Sequence, residues 1–237
     1  MRAFESLEEE VVVGMFDRGL LGFSEAGTPL KAGRQSPYYY NMRPSLSFSA
    51  KLAREGGMTN EQQGRFRKLL TMAFADKFGE IMQPFDHVFG KAQAGTSPVG
   101  VAAYEAGLSY LWERVDESDK GYGKHEKIEG DYEAGELILI GDDAATGGGS
   151  IITAIQVLQA VKLEPVALTL EFDREEGGVQ KLENEYGLEV NSITTLTNAI
   201  GILATHDRIG VEEIKAVEAY HEALRAEGLV STYRYED

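Results

Sequence analysis

The run Leu137-Ile138-Leu139-Ile140-Gly141-Asp142-Asp143-Ala144-Ala145-Thr146-Gly147-Gly148-Gly149-Ser150, followed at once by Ile151, constrains the fold more than any other part of the chain. Four consecutive apolar residues bounded by turn signals predict a buried strand, and the periodic segment from Ile151 to Val161 predicts a helix. A strand apolar on both faces belongs in a parallel sheet with helices on both faces. Asp142 and Asp143 then fall at the C-terminal end of the strand, where open α/β sheets place ligands. The glycines let the backbone approach an anion closely, and the first amides of the helix, with its dipole behind them, suit a monophosphate. Carboxylates repel a phosphate, but they can orient the 2′- and 3′-hydroxyls of a ribose or hold a hydrated magnesium ion. The combination specifies a sugar phosphate. No Gly-Lys-Ser/Thr follows, so this is not a Walker loop, and two acids before the glycines break the dinucleotide spacing. A Gly-rich turn beside a solvated acid pair is the plain alternative, and it leaves the order strand, acids, glycines, helix unexplained.

The rest of the chain repeats the rhythm. Phe4, Leu7, Val11, Val12, Met15, Phe16 and Leu20 predict an amphipathic helix over residues 5–20 that ends near Gly22. A polar segment follows, in which Ser36-Pro37-Tyr38-Tyr39-Tyr40 reads as a turn into a short aromatic strand outside the parallel sheet. A helix capped by Thr59 or Asn60 runs to Gly79. Strands are predicted at His87–Gly90, Tyr110–Trp112, Leu137–Ile140, Val166–Phe172 and Val190–Leu196. Helices are predicted at Val99–Gly107, Ile151–Val161, Val179–Tyr186 and Val211–Leu224, and the last residues, STYRYED, are expected to fray or to pack weakly. Between Val115 and Glu136 the sequence has no periodicity and is dense in charge and glycine, which predicts a long mobile lid loop. The expectation is one domain over residues 1–237: an N-terminal helix and small hood (1–58), an α/β core (84–205) and a C-terminal helix (206–237).

Charge and composition exclude several function classes. A net charge of −16 argues against nucleic acid or an anionic membrane as partner, since both are bound through basic surfaces. The absence of cysteine removes disulfides, thiolate metal sites and thiol nucleophiles, and fits a reducing cytoplasmic compartment. No run of about 18 apolar residues occurs, and the acidic N-terminus is unlike a secretory leader.

The acid-and-glycine loop is similar to the signature of the type I phosphoribosyltransferases. Two further segments narrow the resemblance to the orotate phosphoribosyltransferases: Leu30-Lys31-Ala32-Gly33-Arg34-Gln35-Ser36-Pro37-Tyr38-Tyr39-Tyr40-Asn41, and Phe172-Asp173-Arg174-Glu175-Glu176. The resemblance spans about residues 5–225 and implies magnesium-dependent transfer of the 5-phosphoribosyl group from 5-phosphoribosyl 1-pyrophosphate (PRPP) to orotate. It implies that Asp142 and Asp143 hold the ribose hydroxyls and that Thr146, Gly147, Gly148, Gly149 and Ser150 hold the 5′-phosphate. Lys31 would meet the pyrophosphate or the base region, Tyr39 and Tyr40 the orotate ring, and Arg174 the orotate carboxylate, which suits a planar donor fork. No protein ligand to magnesium is implied beyond Asp142 and Asp143, the ion being carried mainly by PRPP and water.

The lid of this family brings cations over the pyrophosphate, and here Arg114, Lys120, Lys124 and His125 are available, with Lys120 matching the catalytic lysine best. Val115 stands where the family has a second basic residue. After the strand at Val88-Phe89-Gly90, Ala94 replaces a pyrophosphate-binding lysine, and Lys91 lies three residues earlier. The resemblance also implies a homodimer whose lid acts on the neighbouring site. Two other readings stay open on these motifs: transfer to a different base, and a non-catalytic sensor of PRPP or a nucleotide.

Overall fold

The computed structural model describes residues 3–29, 34–42, 59–91, 96–114 and 127–235. The first helix, α1 (Leu7–Asp17), starts where the Ser6 hydroxyl accepts the Glu9 amide at 3.1 Å, and Glu8, Glu9 and Glu10 favour its positive end. It stops three residues short of the predicted end at residue 20. Leu20 and Leu21, which extend the apolar spacing, are buried after a left-handed Gly19, and Leu21 begins a strand that the sequence pattern did not reveal. That strand, β1 (Leu21–Pro29), pairs antiparallel with β2 (Gln35–Tyr40), the predicted aromatic strand. The two form a separate hairpin, as the sequence suggested for β2.

The long helix α2 (Asn60–Glu80) has the predicted cap: Thr59 and Gln62 exchange side chain and backbone bonds in a capping box. The elements β3 (His87–Gly90), α3 (Thr96–Glu105), β4 (Ser109–Glu113), β5 (Ile128–Glu129), β6 (Leu137–Ala145), α4 (Gly149–Ala160), β7 (Glu164–Asp173), α5 (Gly178–Tyr186), β8 (Glu189–Thr195), α6 (Leu196–Thr205) and α7 (Val211–Ala226) follow. The main sheet has the order β5-β4-β3-β6-β7-β8, parallel except for β5 at the edge. The expected parallel sheet is thus present, with one short antiparallel strand added at its edge, which makes it a mixed sheet. The loop expected up to Glu136 also ends sooner, because Lys127–Glu129 pairs back onto β4 and buries Ile128.

Two apolar cores lie on the two faces of this sheet. Ile151, Ile155 and Leu158 of α4 and Leu182 of α5 pack on Ile138, Ile140, Leu168 and Leu170. On the other face α1, α2, α3 and α6 pack on Val88, Leu139, Ala167 and Ile193. At the N-terminal end of the strands, His87 joins Ser109 (2.6 Å) and Glu136 (2.8 Å), clipping β3, β4 and the approach to β6 at the edge opposite the acids. Among the described residues no helix is long and apolar enough to cross a membrane.

The helix α6 (LTNAIGILAT) is an addition to the predicted elements, although its buried residues Leu196, Ala199, Ile200 and Leu203 recur at helical spacing; it follows directly on β8, where the predicted strand extends to Leu196. Its start is fixed twice: Thr195 caps the Asn198 amide, and the Glu175 carboxylate accepts both the amide (2.6 Å) and hydroxyl (2.7 Å) of Thr197. The described C-terminal residues, up to Tyr235, do not fray. Tyr233 is 2% exposed, its ring 4.7 Å from that of His221, and its carbonyl accepts from Arg225. His221 bonds Ser231 at 2.7 Å, and burial pulls its pKa down to about 4, so it is neutral in this packing. Tyr233→Ala is expected to lower the unfolding free energy by about 3 kcal/mol, the usual cost of emptying a buried aromatic site. Chemical denaturation checks this, and a frayed tail would give no change.

Candidate active site

The order of the sheet places a topological switch between β3 and β6: the chain leaves β3 towards β4 on one side and β6 towards β7 on the other. The C-terminal ends of these two strands border the crevice where such folds bind ligands. Strand β6 runs past β3, so Gly141 pairs with Gly90 and the next residues project beyond the neighbour. Gly141 is required here, since a Cβ would lie 2.6 Å from the methyl carbons of Val99. Asp142 is 4% exposed, while Asp143 is half-buried. Asp142 accepts the Asp143 amide at 2.9 Å, and Asp143 accepts the Ala144 amide at 3.0 Å. Burial, and then the neighbouring Asp143, push the Asp142 carboxyl well above the usual range, and Lys91 across the crevice pulls it partly back.

Beyond the acids the loop opens to solvent. Thr146, Gly147, Gly149 and Ser150 are exposed, and Gly148 is the left-handed N-cap of α4 with φ 74°. A glycine cap supplies no side chain acceptor, so the first amides of α4 receive no bond from it and face outward with the dipole behind them. The loop is backed by α5: a Cβ on Gly178 would run into the Thr146 carbonyl and come within 3.0 Å of the Gly148 nitrogen. Gly178 belongs to the site's construction, and only the close approach of two helix starts reveals it.

Lys91 stands at the end of β3, its amide bonded to the Gly141 carbonyl at 3.1 Å and its ammonium 3.8 Å from Glu113. Arg114, at the end of β4, pairs with Glu129 at 2.9 Å. Lys31, Ala94, Lys120, Lys124 and His125 lie outside the described residues.

The hairpin covers the ends of β6 and β7. Strand alternation sends Ser36 and Tyr38 inward, both fully buried, with Tyr40 on the same side and Tyr39 on the other. Tyr39 packs its ring over Gly22 of β1, so the two tyrosines expected at one ligand are separated, and Tyr40 is the one placed near the acids. The Tyr40 ring stacks on Phe172 at 4.7 Å and 15°. Arg174, 5% exposed, is committed in this structure to Glu176, with bonds of 2.8 and 2.9 Å, and lies 4.4 Å over the Tyr38 ring. Tyr38 also donates to Glu176 at 2.8 Å. The sequence reading named Arg174 but neither Tyr38 nor Glu176. The Glu-Glu pair that follows Arg174 was the available signal for the latter.

The resident carboxylates fit a magnesium ion bound mainly through a ligand. Among the described residues no group of three or more Asp, Glu or His side chains could hold a metal alone, whereas magnesium keeps several waters and needs only one or two carboxylates beside a substrate phosphate. Asp142 and Asp143 each use one oxygen on a backbone amide, which leaves a second oxygen outside those bonds.

Compared with models of known protein families, the chain matches none. It is 30% identical over 216 residues to the orotate phosphoribosyltransferase of Pseudomonas putida, covering 86% of this chain and 91% of that one. Among solved structures, UMP synthase of Leishmania donovani superposes with a TM-score of 0.73 at 21% identity, over 92% of this chain and 42% of that longer one. The orotate phosphoribosyltransferase of Francisella tularensis gives 0.66 at 18%, over 90% and 97% of the two chains, and both structures bear on the fold alone.

Gly178→Ala is expected to weaken binding of ribose 5-phosphate about tenfold or more, since the added methyl displaces the loop. Gly149→Ala, with nothing within 4 Å of its new Cβ, leaves the fold intact. Titration calorimetry checks the first and thermal unfolding the second. Asp173, 7% exposed, has its pKa raised by burial from 3.8 to about 6. The folded state therefore binds its proton more tightly, and stability present below about pH 4 is lost as pH rises through 6. Asp173→Asn should stabilise the protein at pH 7 by up to about 3 kcal/mol and change little at pH 4, as read from thermal midpoints at the two pH values.

Proposed function

The chain belongs to the orotate phosphoribosyltransferase family, and we propose that its site joins C1 of the ribose of PRPP to a ring nitrogen of orotate, giving orotidine 5′-monophosphate and pyrophosphate. The observation that carries this reading is the tip of β6: two adjacent carboxylates run directly into an open, glycine-capped helix start at the switch point of the sheet. No protein nucleophile is needed. The bond from C1 to the pyrophosphate oxygen breaks with its electron pair leaving on oxygen, the new C–N bond forms, and the ring nitrogen gives up its proton.

In this reading the amides from Thr146 to Ser150 hold the 5′-phosphate, while Asp142 and Asp143 receive the ribose hydroxyls, which give hydrogen bonds to the Asp142 carboxylate that burial otherwise disfavours. Magnesium held between PRPP and one or both aspartates would neutralise the pyrophosphate's charge. Lys91 adds a cation at the end of β3, and Lys31 and the lid residues Lys120, Lys124, His125 and Arg114 are assigned to the pyrophosphate side by resemblance. Tyr40 forms a wall for the base. Arg174 can meet the orotate carboxylate only by sharing its guanidinium with Glu176, and this supports transfer to another base as the second reading. Exposed Val101 and Tyr104 on α3 and Trp112 on β4 offer an apolar face that suits a second copy of the chain, consistent with a homodimer whose lid acts across the interface. The absence of cysteine suits a cytoplasmic setting.

Mixing the protein with orotate, PRPP and magnesium should give loss of orotate absorbance that stops when the metal is chelated. Lys120→Ala should lower kcat by about 100-fold while changing product affinity little. No turnover with orotate alongside turnover with another base would move the assignment to that base, and equal losses in kcat and product affinity would remove Lys120 from catalysis.

A further inference from the structure

The interior beside Asp143 holds an acid that the proposed reaction does not use. Glu171 of β7 is 0% exposed, and neither of its oxygens has a hydrogen-bond partner. It lies between the registered pairs Asp142–Leu170 and Ala144–Phe172, which makes Asp143 its neighbour on β6. From the hairpin side comes Tyr40, whose ring rests on Phe172, the next residue along β7, and whose hydroxyl is likewise buried and without a well-directed bond. The hydroxyl is close enough to the Glu171 carboxyl to act on it, partly offsetting the strong upward push of burial on that acid. Two buried polar groups thus face each other beside Asp143, one from the hood and one from the core. A buried carboxyl left alone is costly, and the Tyr40 phenol is a donor beside it.

We propose that Glu171 is a positioning residue for the base pocket: its buried carboxyl takes the Tyr40 hydroxyl and thereby fixes the Tyr40 ring over Phe172 as the wall against which the base lies. The inference rests on the reading of the site as an orotate phosphoribosyltransferase. Closure of the pair is a short adjustment, since both groups are already adjacent and each lacks another partner. Ring and carboxyl belong to different layers of the molecule, so the bond sets the height of the hairpin above the strand ends where the sugar and base meet. It acts on the base and not on the phosphate loop, which is carried by α4 and α5.

The test is steady-state kinetics on four variants with both substrates varied. Glu171→Leu is expected to raise KM for orotate about tenfold while KM for PRPP moves less than about threefold, and Glu171→Gln, whose amide oxygen still accepts from Tyr40, should restore most of the loss. Tyr40→Phe strands the carboxyl and should resemble Glu171→Leu. In the double variant Tyr40→Phe/Glu171→Leu the losses should not multiply, because removing both polar partners together leaves neither unsatisfied. Losses that multiply, equal shifts in both KM values, or no rescue by glutamine would overturn the positioning role and leave the reaction assignment standing. A wild-type chain inactive with orotate would overturn the reaction assignment and this inference with it.

Discussion

Strand β6 must carry two adjacent carboxylates out of an apolar interior and present them beside an open helix start, and most of the architecture serves that requirement. The strand is central in the sheet, and Ile138, Leu139 and Ile140 are fully buried by layers on both faces, so its tip has little freedom to shift. Gly141 admits Val99 of α3 against the backbone, and Gly178 brings α5 up under the loop. Asp142 sits in this frame at 4% exposure with its charge disfavoured. An acid held in this condition favours hydroxyl donors and cations as neighbours.

The hood is joined to this frame by charge as well as by packing. Arg174 and Glu176 form a buried pair under Tyr38, and Ser36 accepts from the same guanidinium at 3.4 Å. Breaking one partner of such a pair would leave an unpaired buried charge, so the hairpin is held in one place relative to β7. Between Arg174 and Glu176, Glu175 adopts a left-handed backbone with φ 55° and caps α6 with its carboxylate. The segment Asp173–Glu176 thus connects the strand end, the hairpin and the following helix within four residues. This accounts for its density of charge better than a single ligand contact at Arg174 would.

Legibility from sequence followed the range of the forces involved. The buried strand at Leu137–Ile140, the cap at Thr59, the helix after Ser150 and the alternation of elements depend on residues within a turn or two of each other, and their patterns were readable. The strand β1, the helix α6 and the packed tail around Tyr233 were not, because each is fixed by side chains or strands of another element: β2 for β1, Glu175 for the start of α6, and His221 and Arg225 of α7 for the tail. The aromatic run Tyr38-Tyr39-Tyr40 shows the same division. Its composition announced a binding or packing role, and only the pleat of β2 decided which ring faces the acids and which covers Gly22.

By itself the sequence determined the α/β class, the position of the two acids before a glycine-capped helix, and three ordered motifs that place the chain among the orotate phosphoribosyltransferases. Those features are local, and the chemistry of a strand end feeding a helix start follows from the order of residues alone. Only the tertiary structure decided that Arg174 is paired with Glu176, that Gly178 supports the glycine loop, and that Glu171 lies buried beside Tyr40. Each of these depends on side chains brought together across strands and layers, where distance and burial, which no linear pattern records, set the energy of a charge.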